Sequence, residues 1–172
     1  MTAGMRTEDD KGFTLIELLI VISIIGILVV ALGFSYVGWM GSYKVESATK
    51  GIYSDMMDAR ARAMQMNRSY FLNFPTATSY RIVEDTNENN GMDVGAGDTV
   101  LPTFPKTVGY TLSITGPPAP PAATFTFDKR GIISPTGTVR LISTSNPDYD
   151  CITIADIRII MGHWNGTACV EK

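Results

Sequence analysis

A long apolar stretch near the N-terminus constrains this chain more than any other feature. Residues 18–34 contain no charged side chain, and Ser23 is their single hydroxyl-bearing residue. As an α-helix rising about 1.5 Å per residue, residues 13–37 would extend roughly 37 Å, which exceeds the roughly 30 Å hydrocarbon core of a bilayer. The sequence therefore predicts a single transmembrane anchor.

One carboxylate, Glu17, lies at the start of this apolar stretch. An ionised carboxylate in lipid costs about 2.5 kcal/mol or more, so such a residue suggests a function. The alternative is that Glu17 lies at the membrane edge and reaches into the headgroups. Residues 1–12 carry Arg6 and Lys11 against three acidic residues, unlike the positively charged start of a secretory signal peptide.

The segment Lys11-Gly-Phe-Thr-Leu-Ile-Glu-Leu18 closely resembles the processing motif of type IV prepilins and pseudopilins. The resemblance implies a leader over residues 1–12, cleavage after Gly12 by a prepilin peptidase, and N-methylation of Phe13. It also implies that Glu17 pairs with the N-terminal amine of a neighbouring subunit. Many major pilins have a helix-kinking proline that this segment lacks, which favours a minor pilin or pseudopilin.

Beyond the apolar stretch, hydrophobic residues recur every three or four positions up to about Asn67, which predicts that one helix continues from residue 13 to residue 67. Four methionines lie in its distal part: Met56, Met57, Met64 and Met66. Thioethers bind soft metals and adaptable peptides, but they also fill gaps between a helix and a sheet, and we expect core packing here.

Residues 68–172 lose the helical pattern and alternate short β-prone runs with turns. The predicted strands are Tyr70–Phe74, Ser79–Glu84, Thr107–Ile114, Ala123–Phe127, Thr138–Ser143, Cys151–Ile154 and Ile157–Met161. A proline-rich stretch at residues 116–121 predicts a stiff surface connector, with a recognition segment as the alternative. The expected fold class is α+β, with a long helix packed on a mostly antiparallel, extracytoplasmic β head.

The order of features in the head is similar to the GspH/FimT-like branch of pseudopilins and minor pilins. Some members of that branch bind DNA through basic C-terminal residues, whereas this tail has only Arg158, His163 and Lys172, with Glu171 alongside. The formal net charge of −3 also argues against nucleic-acid binding. We therefore do not expect DNA to be a ligand.

Two further features of the head suggest local sites. Asp85, Asn87, Asn89 and Asp93 place oxygen donors at alternating positions, as in a calcium loop, but an EF-hand would have its glycine one place earlier and a glutamate at position 96. Asn-Gly and Asx turns explain the same residues without a metal, and we favour the turns.

The two cysteines, Cys151 and Cys169, both lie near the C-terminus. A disulfide between them would stabilise the head by about 3 kcal/mol in the chain-entropy model, and an oxidising periplasm would favour the bond. Two separately packed thiols are the alternative. With a single histidine and no CxxC pair, the sequence indicates no metal site of the zinc type and no cofactor.

No catalytic constellation is recognisable, because the only histidine, His163, lies in a predicted turn. We expect a structural filament subunit rather than an enzyme such as a single-span membrane hydrolase: a minor pilin or pseudopilin of a type IV pilus or of type II protein secretion. The alternative is an adhesive or DNA-capturing tip subunit. The expected partners are the prepilin peptidase, other pilin subunits and the assembly platform of the bacterial inner membrane, with the head in the periplasm.

Overall fold

The computed structural model describes residues 12–172, with the side chains of residues 32–37 left aside. The predicted leader therefore lies outside the described residues, except for Gly12. The chain divides into two compact units, Met1–Trp39 and Met40–Lys172.

A single helix, α1, extends over Leu15–Met66. It ends where the sequence predicted, because Asn67 adopts a left-handed conformation with φ of 53°. The next amide, that of Arg68, donates to the carbonyl of Ala63 at 3.2 Å. This 6→1 hydrogen bond after a left-handed residue is a Schellman cap, which satisfies a carbonyl at the helix end.

In the first unit, the described helix exposes every large apolar side chain from Phe13 to Val30, with exposed fractions from 49% to 86%. No helix within the described residues has both the length and the apolar character needed to cross a membrane. The transmembrane anchor that the sequence predicted is not confirmed by that finding.

The second unit contains the distal part of α1 and two antiparallel sheets. The strands are β1 Tyr70–Thr76, β2 Ser79–Glu84, β3 Thr99–Val100, β4 Lys106–Thr107, β5 Thr111–Thr115, β6 Ala123–Phe127, β7 Ile133–Ser134, β8 Gly137–Ile142, β9 Cys151–Ile154, β10 Ile159–Trp164 and β11 Cys169–Glu171. The first sheet has the order β3-β2-β1-β6-β7, with β4 also paired to β2. The second has the order β11-β10-β9-β8-β5, and together with α1 the two sheets confirm the predicted α+β class.

The strand predicted at Thr107–Ile114 is wrong. The structure has two strands there, β4 in the first sheet and β5 in the second. Between them Val108 is 8% exposed, and its amide donates to the carbonyl of Thr78 at 2.8 Å. Gly109 follows, and the chain crosses from the first sheet to the second at this point. The residues of the one predicted strand are therefore divided between the two sheets.

The core of the second unit forms between one stripe of α1 and both sheets. The buried helix residues are Val45, Thr49, Ile52, Met56, Ala59 and Ala63. The largest fully buried side chains from the strands are Tyr70, Phe71, Phe74, Phe125 and Phe127. The buried helix residues recur every three or four positions, which is the period of an amphipathic helix, as the sequence predicted.

The prediction that all four distal methionines pack in the core is wrong. Met56 is fully buried, but Met57, Met64 and Met66 are 40%, 49% and 58% exposed. Successive helix residues are about 100° apart, so Met57 cannot share the face of Met56. Three thioethers thus remain at the surface of the head.

The buried side chain of Asn73, a residue of β1, is hydrogen-bonded to the proline-rich connector. Asn73 is fully buried, and its Nδ2 donates to the carbonyls of Pro121 and Ala123 at 3.1 and 3.2 Å. Its Oδ1 accepts a hydrogen bond from Nε of Arg81 at 2.8 Å. The amide is therefore satisfied on both sides, as a buried polar group requires.

Candidate functional site

The first turn of α1 carries the residues that the sequence singled out, and Thr14 caps it. The carbonyl of Thr14 accepts the amides of Glu17 and Leu18 at 3.1 and 3.2 Å, and its Oγ1 also accepts the Glu17 amide at 3.3 Å. Thr14 thus occupies the N-cap position and supplies the side-chain cap, and Glu17 occupies the N3 position. Sequence reasoning missed this role of Thr14, although the Thr-x-x-Glu spacing would have predicted it.

Both sides of the predicted cleavage bond are open to a second molecule. Phe13 is 86% exposed, and a Cβ added to Gly12 would meet no atom within 4 Å. The carboxylate of Glu17 is exposed and has no hydrogen-bond or ion-pair partner among residues 12–172. A negative helix-start residue is favourable beside the positive end of the helix dipole. If another molecule covered the surrounding apolar surface, the carboxylate would be buried with it and would need a cationic partner.

The acidic loop between β2 and β3 holds the four calcium candidates in a network of turns. The carboxylate of Asp85 accepts the amides of Asn89 and Asn90, at 3.2 and 2.9 Å. Asn87 Oδ1 accepts the Asn89 amide at 3.1 Å, and Asn89 Nδ2 donates to Asp93. Within the described part of the chain, no group of three or more acidic, histidine or cysteine side chains is placed to hold a metal. The side-chain oxygens of these residues accept hydrogen bonds within the loop, as in the turns that the sequence analysis favoured.

Cys151 of β9 and Cys169 of β11 form a disulfide with a Cα–Cα distance of 5.9 Å. Both strands pair with β10, where Gly162 lies opposite Cys151. A Cβ on Gly162 would approach the Val170 carbonyl oxygen to 2.2 Å and Cys169 Sγ to 3.1 Å. The bond therefore requires a residue without a side chain at position 162.

Each of the three basic residues of the tail lies next to a carboxylate. Arg158 Nη2 lies 3.6 Å from Glu171, and Lys172 contacts Asp148. His163 Nδ1 lies 3.8 Å from Oδ1 of Asp150, an oxygen that also accepts the Trp164 amide at 2.7 Å. Lys172 holds the pKa of Asp148 below its ordinary value through a hydrogen bond. The paired carboxylates reduce the positive potential that phosphate binding draws on.

Comparison with known families then identifies both parts of the chain. The prokaryotic N-terminal methylation motif matches residues 9–33, and the type II transport protein GspH family matches residues 48–156. The chain belongs to the GspH family. The match begins on the amphipathic part of α1 and ends just before β10, and the methylation motif contains Gly12, Phe13 and Glu17. The resemblance inferred from the sequence is thereby confirmed.

Among solved structures, this GspH-family chain is similar to the minor pseudopilin EpsH from the type 2 secretion system of Vibrio cholerae. The two are 13% identical, with a TM-score of 0.48, and the alignment covers 70% of this chain and 97% of the other. No curated protein sequence matches the chain.

Proposed function

We propose that this GspH-family protein is a structural subunit, a minor pseudopilin that joins the filament of a type II secretion system. The observation that carries the proposal is the first turn of α1. There a methylation motif, a Glu17 carboxylate without a partner among the described residues and a helix surface that exposes apolar side chains on all sides occur together. Such a surface requires cover from a membrane or from other helices.

Maturation would begin with hydrolysis of the Gly12–Phe13 peptide bond by a prepilin peptidase. The bond breaks to give a carboxylate on Gly12 and an amine on Phe13, which is then methylated. The methylation motif and the exposure of Phe13 support this step. The leader is removed, and a cation now stands four residues before Glu17.

Assembly would then bury the apolar helix surface among those of neighbouring subunits. In that setting, the amine of one subunit and Glu17 of the next would neutralise each other. An unpaired charge there costs several kcal/mol, so the pairing sets the axial register of the helices. Before assembly, the protein would be held in the bacterial inner membrane, with its head in the periplasm.

The decisive experiment compares Glu17→Ala with Asp58→Ala. Asp58 is a carboxylate on the same helix, and its side chain is 54% exposed and pairs with Arg62 four residues on. Site-directed crosslinking would measure incorporation into the filament, and intact mass spectrometry would check for removal of residues 1–12 and methylation of Phe13. We expect Glu17→Ala to lose most incorporation and Asp58→Ala to assemble normally. Equal incorporation of both variants, or a mature chain that starts at Met1 where the peptidase is active, would contradict the proposal.

A further inference from the structure

The loop between β2 and β3 concentrates negative charge. Residues 85–98 contain four acidic side chains and no lysine, arginine or histidine. Glu88 pairs with Arg68, whereas Asp85, Asp93 and Asp98 form no ion pair with a described residue. Like charges held close together repel each other. The loop therefore has three carboxylates that a bound cation would neutralise.

The last residue of the loop, Asp98, has a buried oxygen that lacks a partner. Asp98 is 8% exposed. Its Oδ2 accepts the Asp93 amide at 2.6 Å, so the carboxylate points back into the loop. Its Oδ1 is buried and has no hydrogen-bond partner in the described part of the chain. A buried carboxylate oxygen without a partner is costly, and buried charges are normally paired or coordinate a metal.

The first half of the loop has a turn that calcium loops require. With Asp85 as position 1, its carboxylate accepts the amides of positions 5 and 6, which are Asn89 and Asn90. An EF-hand has glycine at position 6 because the chain turns sharply there. Asn90 adopts a left-handed conformation with φ of 59°. Asparagine tolerates this conformation, so the position does not need glycine.

The second half of the loop compensates for Ala96, which occupies the position of the bidentate glutamate in an EF-hand. The chain after Ala96 folds back onto the start of the loop. Thr86 Oγ1 donates to the carbonyl of Gly97 at 2.7 Å, and a Cβ added to Gly97 would lie 2.5 Å from Asn87 Nδ2. Asp98 follows directly. It therefore brings a carboxylate to the loop two residues later than the EF-hand does.

We propose that this loop binds one calcium ion, and that Asp98 replaces the glutamate of the EF-hand. The other ligands are the Gly91 carbonyl and side-chain oxygens of Asp85, Asn87, Asn89 and Asp93. Calcium takes about six to eight oxygen ligands in a flexible geometry, whereas magnesium demands a near-ideal octahedron. A loop of carboxylate, amide and carbonyl oxygens suits calcium. The site does not depend on the proposed filament role, because its ligands all lie in the head.

Binding requires a small rearrangement of the loop. In the conformation described for residues 12–172, the carboxylates are not gathered as they are around a metal. Asn89 presents its Nδ2, rather than its oxygen, to Asp93. A flip of the Asn89 amide would turn its oxygen towards Asp93, and the cation would draw the carboxylates together.

The test uses full-length protein in a non-ionic detergent, stripped of metal ions with EDTA and titrated with calcium chloride by calorimetry. We expect one calcium per chain with a Kd between about 10⁻⁵ and 10⁻³ M, and magnesium binding at least about tenfold weaker. Asp98→Asn removes the charge but keeps an oxygen for the Asp93 amide. It should weaken calcium binding about tenfold or more.

The matched control is Glu88→Gln, which makes the same change of charge in the same loop. Glu88 is at position 4, which supplies no ligand, and its side chain is 66% exposed. It should weaken binding by less than about twofold, because exposed charges are screened. Near-UV circular dichroism without calcium checks that each variant is folded. If Asp98→Asn does not fold, Asp93→Asn, at a half-buried position, replaces it in the comparison.

Three results would overturn the proposal. The first is the absence of binding up to about 10 mM calcium, which exceeds the Kd of weak calcium modules. The second is an equal affinity for magnesium. The third is an equal effect of Glu88→Gln and of the ligand variant.

Discussion

The two parts of α1 have the same backbone conformation and opposite surroundings. In the first unit, apolar residues lie on all faces of the helix and are exposed, as at Ile25 with 52%. In the second unit, the apolar stripe that faces the sheets is buried, as at Ile52 with 1%. A helix with apolar residues all round is stable only when something covers it. The chain's own sheets cover the apolar stripe of the distal part, whereas in the function proposed above the proximal part would be covered by other molecules.

The largest expected difference comes from the same substitution in each part. Ile52→Ala should lower the free energy of unfolding of the head by about 2–5 kcal/mol, because it leaves a cavity in the core. Ile25→Ala should change that free energy by less than about 0.5 kcal/mol. Denaturant titration followed by near-UV circular dichroism measures both. Equal destabilisation by the two variants would show that the difference in burial does not affect the free energy of unfolding.

The second largest effect is expected from removing the disulfide of the head. Replacing Cys151 and Cys169 together by serine should cost about 3 kcal/mol of head stability, since the unfolded chain regains the entropy of an open loop. Removal of the leader should be unaffected, because the bond lies in the second unit. Denaturant titration with and without reductant checks the first expectation. Identical midpoints for the wild-type protein in the two conditions would refute it.

A smaller effect concerns the contact of Tyr80 with the distal helix. The Tyr80 hydroxyl donates to Asp55 at 2.6 Å, and Asp55 also binds Lys106 at 2.7 Å. Burial, and then the hydrogen bond to Asp55, raise the pKa of Tyr80 above its ordinary value. The folded state therefore retains a proton that the unfolded chain loses above about pH 10.

Because the folded state binds more protons in that range, the stability contribution of Tyr80 is complete below about pH 10 and declines as the pH rises further. The decline is at most about 1.4 kcal/mol per pH unit for one proton. Unfolding midpoints measured from pH 9 to pH 11 should therefore decrease more steeply for the wild-type protein than for Tyr80→Phe. Parallel decreases would mean that Tyr80 titrates normally.

The smallest effect lies at the start of the exposed part. Thr14→Ala removes the side-chain cap and should destabilise the first turn locally by about 1 kcal/mol, with no change in the head. Hydrogen exchange of the amides of residues 15–18 should accelerate about fivefold, whereas exchange in β1 should remain constant. Thr14→Ser, which keeps a hydroxyl, is the control. Faster exchange in both variants would assign the effect to the lost methyl group.

Much of the architecture was predictable because it depends on local patterns. The apolar run, the helix end at Asn67 and the strand Ser79–Glu84 follow from periodicity and turn residues that neighbouring positions supply. The methylation motif was equally legible, since its residues are contiguous. The capping role of Thr14 belonged to the same class and was overlooked.

The remaining features depend on which strand lies beside which. Residues 107–114 were predicted as one strand because Tyr110, Leu112 and Ile114 alternate with smaller or polar residues, whereas the pairing of β4 with β2 and of β5 with β8 separates two strands. The short strands β3, β7 and β11 were missed for the same reason.

The attachment of the connector to Asn73 has a practical consequence for labelling this protein. Prolines at residues 117–121 suggest a harmless place for an epitope tag, yet the carbonyl of Pro121 is hydrogen-bonded to a fully buried amide. An insertion there would disturb a hydrogen bond that joins the connector to β1. The turn around Gly166 is exposed, and a Cβ there would meet no atom within 4 Å. Fluorophores and tags are better tolerated in that turn, where imaging of the protein in cells would leave the core intact.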